Sequence, residues 1–191
     1  MRLFAIVAVA ALLFAGCSKK SSNEATPSVA ATTSAPTPTP CALEGGSEAN
    51  ESNAGPGESA LVTDVRPNAE GCPRVVFEFK DQVAGYRIGY AQPPFTECGS
   101  GATVATASWD ATAYLDVHLE PAAGVDLTTT GEATYTGPRD IAVRGDVLKH
   151  LKVTCDFEGV FEWIIGLDKK HEFKVLTLEN PSRIVIEISQ A

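Results

Sequence analysis

The chain reads as all-β: a two-sheet β-sandwich of about eight or nine strands, preceded by a leader and a polar tether. Three observations carry this reading. From Leu61 onward, apolar residues recur at period two in short runs rich in β-branched and aromatic side chains. Gly, Pro or Asp bounds each run. Few long segments have the 3.6-residue period of an amphipathic helix. Two packed sheets are the usual way for such strands to bury their apolar faces.

The first element is a leader. Arg2 supplies a positive start, Leu3 to Phe14 form an apolar run, and Ala15-Gly16 lead into Cys17. This run is too short for a hydrocarbon core of ~30 Å, which needs roughly 20 residues. It reads as a secretory signal peptide over 1–16. Leu13-Phe14-Ala15-Gly16-Cys17 resembles the lipobox of bacterial lipoproteins, with Phe14 where an aliphatic residue is usual. That resemblance implies an acylated Cys17 as mature N-terminus and a stable lipid anchor on the extracytoplasmic face of the cell membrane. The plainer alternative is a secreted protein in which Cys17 is incidental.

Residues 17–60 read as a disordered tether of Ser, Thr, Ala, Pro, Gly and Glu. Pro36-Thr37-Pro38-Thr39-Pro40 is polyproline-like, and the Gly45 to Gly57 part is flexible in composition. Such a segment lacks the apolar surface to offset its ordering entropy.

The domain occupies 61–191. Val75, Phe77 and Phe79 alternate with Arg74, Val76 and Glu78; Tyr86, Ile88 and Tyr90 alternate with Arg87 and Gly89. Leu115, Val117 and Leu119 form a third strand, and Leu151, Val153 and Cys155 a fourth. Phe161, Trp163, Ile165 and Leu167 follow, and Phe173–Leu178 joins Ile184, Ile186 and Ile188 through the proline turn Glu179-Asn180-Pro181-Ser182. Asp156-Phe157-Glu158-Gly159 is a second turn. Gly145 to Leu151 has the makings of one helical turn. Gly99 to Ala113 and Ala122 to Arg144 are long connections, where function often resides.

Fifteen Lys and Arg against 24 Asp and Glu leave a net charge of −9. Such a balance excludes nucleic acid as a natural partner and gives no basic grip on anionic lipid. Of five cysteines, four follow Cys17. In an exported chain, Cys41, Cys72, Cys98 and Cys155 read as two disulfides, and none has the close spacing of zinc ligands. Of three connectivities, Cys41–Cys72 with Cys98–Cys155 is favoured, since it pins the tether's end and staples the middle of the chain to a late strand.

The motifs of catalysis are missing. No Gly-x-Ser-x-Gly elbow and no phosphate-binding glycine loop occur. His118 and His150 fall at polar strand positions and His171 in a charged turn, so all three read as surface residues. Asp156 and Glu158 flank Phe157 and could act as a carboxylate pair, although turn chemistry is their commoner use. The expectation is a non-enzyme with neither metal nor cofactor. Tyr135 and Arg139 in one long connection, and Trp109 in another, are better suited to binding a glycan or its carboxylates. Tyr86 and Tyr90 share a face with Ile88 and read as core. The residues singled out for a ligand are therefore Tyr135, Arg139, Asp156 and Glu158.

Arg74–Phe79 and Phe173–Ile188 resemble the first and last strands of the AMIN fold. Gly85-Tyr86-Arg87, Tyr135-Thr136-Gly137-Pro138-Arg139, Asp156-Phe157-Glu158-Gly159 and Gly166-Leu167-Asp168 resemble the AMIN-like domain of lipoproteins from high-GC Gram-positive bacteria. This resemblance implies a non-catalytic β-sandwich of the cell envelope that binds or localises to peptidoglycan or an attached glycan. The rival expectation is an adaptor whose edge strand or loops hold an envelope enzyme or secretion component. A small hydrolase using Asp156 and Glu158 is a third.

Overall fold

Strand alternation sets two sheets face to face. The computed structural model describes residues 41, 45–53, 59–129 and 131–190. The expected leader, Cys17 and the tether up to residue 40 lie outside the described residues. The strands are β1 (Asn50–Ser52), β2 (Ala60–Asn68), β3 (Arg74–Phe79), β4 (Gly85–Ala91), β5 (Ala113–Glu120), β6 (Ala122–Ala123), β7 (Val125–Asp126), β8 (Glu132–Ala133), β9 (Asp140–Ala142), β10 (Leu148–Phe157), β11 (Val160–Leu167), β12 (Phe173–Leu178) and β13 (Arg183–Ile188). Eight of them have six or more residues, in keeping with the eight or nine expected; the other five are two or three residues long.

One sheet has the order β1-β4-β5-β11-β10-β9 and the other β12-β13-β3-β2-β6, with β7-β8 a separate ribbon. The inner face of the first carries Ile88, Leu115, Val117, Leu119, Trp163 and Ile165, all fully buried. Opposite them stand Val75, Phe77, Phe79, Ile184, Ile186 and Ile188. Phe77 meets Trp163 edge to face across the sandwich, with ring centroids 6.4 Å apart. Each such side chain contributes about 1.5–3 kcal/mol on burial.

Both expected disulfides are present. Cys41–Cys72 closes a separation of 31 residues and Cys98–Cys155 one of 57. Chain-entropy arithmetic gives each about 3.5–4.5 kcal/mol.

The structure corrects three expectations. Residues 45–53, expected within the tether, are seated on the domain. Gly46 exchanges backbone hydrogen bonds with Phe173, and β1 pairs with β4. Composition misled here because pairing with a sheet edge uses backbone groups and needs no apolar side chains. No helical turn forms at Gly145–Leu151, where Leu148 already begins β10. The connection 92–112, which includes most of the expected Gly99–Ala113 stretch, does not present Trp109 for binding. Its Phe95, Val104 and Trp109 bury themselves on Tyr114 and Ile164, on the outer face of the six-stranded sheet. Gly166 admits this layer, since a Cβ there would lie 3.1 Å from the Trp109 ring and 3.0 Å from the Ala111 methyl.

The β10–β11 hairpin turns on two residues, Glu158 (φ 51°) and Gly159 (φ 83°), with Phe157 paired to Val160. Two successive left-handed residues make a type I′ turn, whose preferred sequence is Asn-Gly. Glu158 therefore occupies a position that disfavours it. Glu158→Asn is expected to stabilise the protein by about 1 kcal/mol, read as a rise in Tm by calorimetry.

Candidate functional site

Three of the four residues singled out for a ligand come together at the β10 edge, and the fourth sits on the adjoining turn. Their roles differ from the expectation. Tyr135 is not a loop aromatic open to a sugar: it is 2% exposed. Its ring packs edge-on against Phe161 and Trp163 at 5.8 and 6.0 Å. Its hydroxyl donates to the Pro138 carbonyl at 2.6 Å, tying off the Tyr135–Arg139 loop. Burial pushes the phenol pKa up to about 12, reinforced by Asp64 and opposed by Arg139.

Arg139 lies over that ring, 5.9 Å from guanidinium carbon to centroid. It donates from Nη2 to Asp156 Oδ2 at 2.5 Å. Asp156 also accepts the Gly124 backbone N–H at 2.9 Å. Gly124 is required at this approach, because a Cβ would fall 2.8 Å from Asp156 Oδ2 and 3.2 Å from the Phe161 ring. Asp156 thus joins the 124 and 139 segments to β10 and is committed to structure. Glu158 is exposed on the type I′ turn.

Above this node lies a groove of about 450 Å³ whose lining includes Glu97, Arg139, Lys152, Thr154, Asp156 and Phe157. Its outer wall is the segment around Cys98, held to β10 by the Cys98–Cys155 bond and by Cys98 N–H donating to Thr154 O at 2.9 Å. Lys152 is shared between Glu97 at 3.2 Å and Asp140 at 3.4 Å. Phe157 is the residue that sequence reading missed. It is 58% exposed at the groove's end. Its sequence signal was an aromatic placed inside a tight turn, where no core could receive it.

The histidines also depart from expectation. His171 is buried, hydrogen-bonded through Nε2 to Asp168 Oδ1 at 2.7 Å. His150 stacks on Trp109 with centroids 4.3 Å apart and planes 6° from parallel. His118 bridges Glu162 at 3.1 Å and Glu120 at 3.2 Å on the outer face of the six-stranded sheet. Beside it, Asp116 Oδ1 is buried and lacks a hydrogen-bond partner. Arg87 and Glu51 complete the rim of a concavity of about 400 Å³ there. Among the described residues, no three His, Cys, Asp or Glu are arranged to hold a metal ion.

That cluster makes stability depend on pH. Burial, helped by Glu162 and opposed by His118 and Arg87, raises the Asp116 carboxyl to about 6. Burial lowers His118, but hydrogen bonds to Glu162 and Glu120 outweigh it and the net shift is upward. Each group binds protons more tightly folded than unfolded. Each therefore contributes stability that is fully present below its ordinary pKa and is lost as pH rises through the folded value. For Asp116 the window runs from its ordinary 3.8 to about 6. Asp116→Asn is expected to raise Tm above that window, at about pH 7.5, and to leave it nearly unchanged below it, at about pH 3.5. Equal gains at both pH values would refute the assignment.

A family model described as the AMIN-like domain matches residues 60–190, from the first residue of β2 to just beyond β13. No curated protein and no solved structure matches the chain. The matched span contains the sandwich core, both sheets apart from β1, and the groove at Arg139 and Phe157, and on this match the chain belongs to the AMIN-like domain family.

Proposed function

We propose that the domain is a non-catalytic wall-binding module, engaging peptidoglycan or an attached glycan at the Arg139–Phe157 groove. AMIN-like domains occur in secreted or extracytoplasmic envelope proteins and are generally non-catalytic. The observation that carries the reading is Phe157, a large aromatic left 58% exposed beside a tight two-residue turn at the mouth of the groove. The C–H face of a sugar ring stacks on such a surface. Arg139 keeps guanidinium N–H groups beyond the one given to Asp156, and its side chain is 45% exposed. Those donors suit the carboxylates and N-acetyl carbonyls of wall polymers. Acylation of Cys17 would hold the module at the extracytoplasmic face of the membrane, with the residues after it as a spacer.

The test is co-sedimentation of the oxidised chain, carrying Cys17→Ser, with protein-free peptidoglycan. Saturable retention is expected, weakened about tenfold by Phe157→Ala at unchanged Tm. Tyr135→Phe loses the hydroxyl's bond to Pro138 and is expected to cost about 1 kcal/mol of stability, read as a fall in Tm. Wild-type retention by Phe157→Ala, or none by the unaltered domain, would sink the proposal.

A further inference from the structure

The outer face of the five-stranded sheet is organised in a way that the wall-binding groove does not use. Cross-strand register aligns Leu176, Val185 and Val76 in one row across β12, β13 and β3, ending at Arg66 on β2. This apolar row forms the floor of a depression of about 450 Å³. The row on one side begins with Lys174, passes Glu187 and reaches Arg74. On the other side Leu178 stands next to Arg183, followed by Glu78. Glu78 is taken by Arg66 at 2.7 Å. Lys174, Arg74 and Arg183 make no ion pair among the described residues. Leu178 is 38% exposed at the rim. An aliphatic floor beside unpaired cations is unusual on a chain whose net charge is −9.

Among the described residues, this face ends at an open strand edge. β12 is outermost in its sheet. The Phe173 N–H donates to Gly46 O at 2.9 Å and Gly46 N–H returns to Phe173 O at 3.3 Å, on the side away from β13. Glu172 faces the other way, its carbonyl accepting Ser189 N–H at 2.9 Å. By strand alternation, Val175 and Thr177 present their N–H and C=O groups along the same edge as Phe173. Among the described residues, Gly46 therefore begins an antiparallel ladder of one residue, with two further positions that could continue it.

We infer that the β12 edge receives an extended, acidic–aliphatic peptide segment of a protein partner by strand addition. The incoming strand bonds to Val175 and Thr177, and its alternate side chains extend the three rows of the outer face. The row at Lys174, outermost and next to the incoming strand, selects a carboxylate, while Glu187 and Arg74 further along the row offset each other. The rows at Leu176 and Leu178 select aliphatic residues, which cover the exposed Leu178. Backbone bonds supply affinity, and the cationic and apolar rows set register and composition. This inference is independent of the Arg139–Phe157 groove, which lies on the edge of the other sheet.

The probe is an acetylated, amidated Thr-Val-Thr-Val-Thr-Glu-Thr peptide, which runs antiparallel to β12 as Gly46 does, with a second in which Lys replaces Glu. Both are titrated by fluorescence anisotropy against the full chain carrying Cys17→Ser, disulfides intact. The acidic peptide is expected to bind about tenfold more tightly than the basic one. Lys174→Glu is expected to reverse that order. Thr177→Pro removes an N–H aimed at the open edge and none used by β13, so it is expected to abolish binding of both peptides while the fold persists. Failure of the acidic peptide to bind overturns the inference, as does an unchanged order in Lys174→Glu or unchanged binding in Thr177→Pro. A dimer of the chain alone that Thr177→Pro converts to monomer also overturns it, since the edge would then belong to a second copy.

Discussion

Trp163 is the point on which both sheets and the functional loop converge. From the middle of β11 it touches Phe77 on the opposite sheet, Phe161 on its own strand and Tyr135 from the 134–139 segment. A side chain of this size fills the gap between the sheets and supplies aromatic edges in three directions. The site follows from that packing. Tyr135 is buried because Trp163 and Phe161 receive it. Its hydroxyl then closes the loop on Pro138, and the closed loop delivers Arg139 to Asp156. The indole Nε1 is buried without a hydrogen-bond partner in the described structure, which is the polar cost of placing tryptophan at this junction.

Much of the fold was legible because period-two alternation is a local property. Phe77, Val117, Trp163 and Ile186 each declare their inward face through their immediate neighbours. The disulfide pairing was legible for a similar reason, with each bond joining an irregular segment to a strand or its flanking turn. Glu158-Gly159 was legible as a turn, though not as one demanding left-handed backbone at both residues.

What escaped depended on tertiary neighbours. Tyr135 and Trp109 lie in stretches without strand periodicity, so nothing local distinguishes a buried anchor from an exposed platform. Phe157 presents the converse case: period two places it in line with Cys155, yet as the last paired residue of β10 it is left exposed. The apolar row Leu176–Val185–Val76 was present in the sequence as single aliphatics at outward positions. Only cross-strand register brings those three into one line. His171, in a run of charged residues, is buried because Tyr90 exchanges hydrogen bonds with its backbone across 81 positions of sequence.

The Cys41–Cys72 bond has a mechanical meaning. Cys41 is buried, and its carbonyl accepts a hydrogen bond from Ser189, beyond the end of β13. Tension arriving from the residues before Cys41 passes through a covalent bond into the β2–β3 connection. Gly46 and β1, attached by backbone hydrogen bonds and by the Tyr86 hydroxyl donating to Asn50 Oδ1, lie downstream of that clamp and are spared from being peeled away one bond at a time. The load enters instead next to β3, whose neighbours β2 and β13 flank it on both sides, so the force is shared by the interior of a sheet.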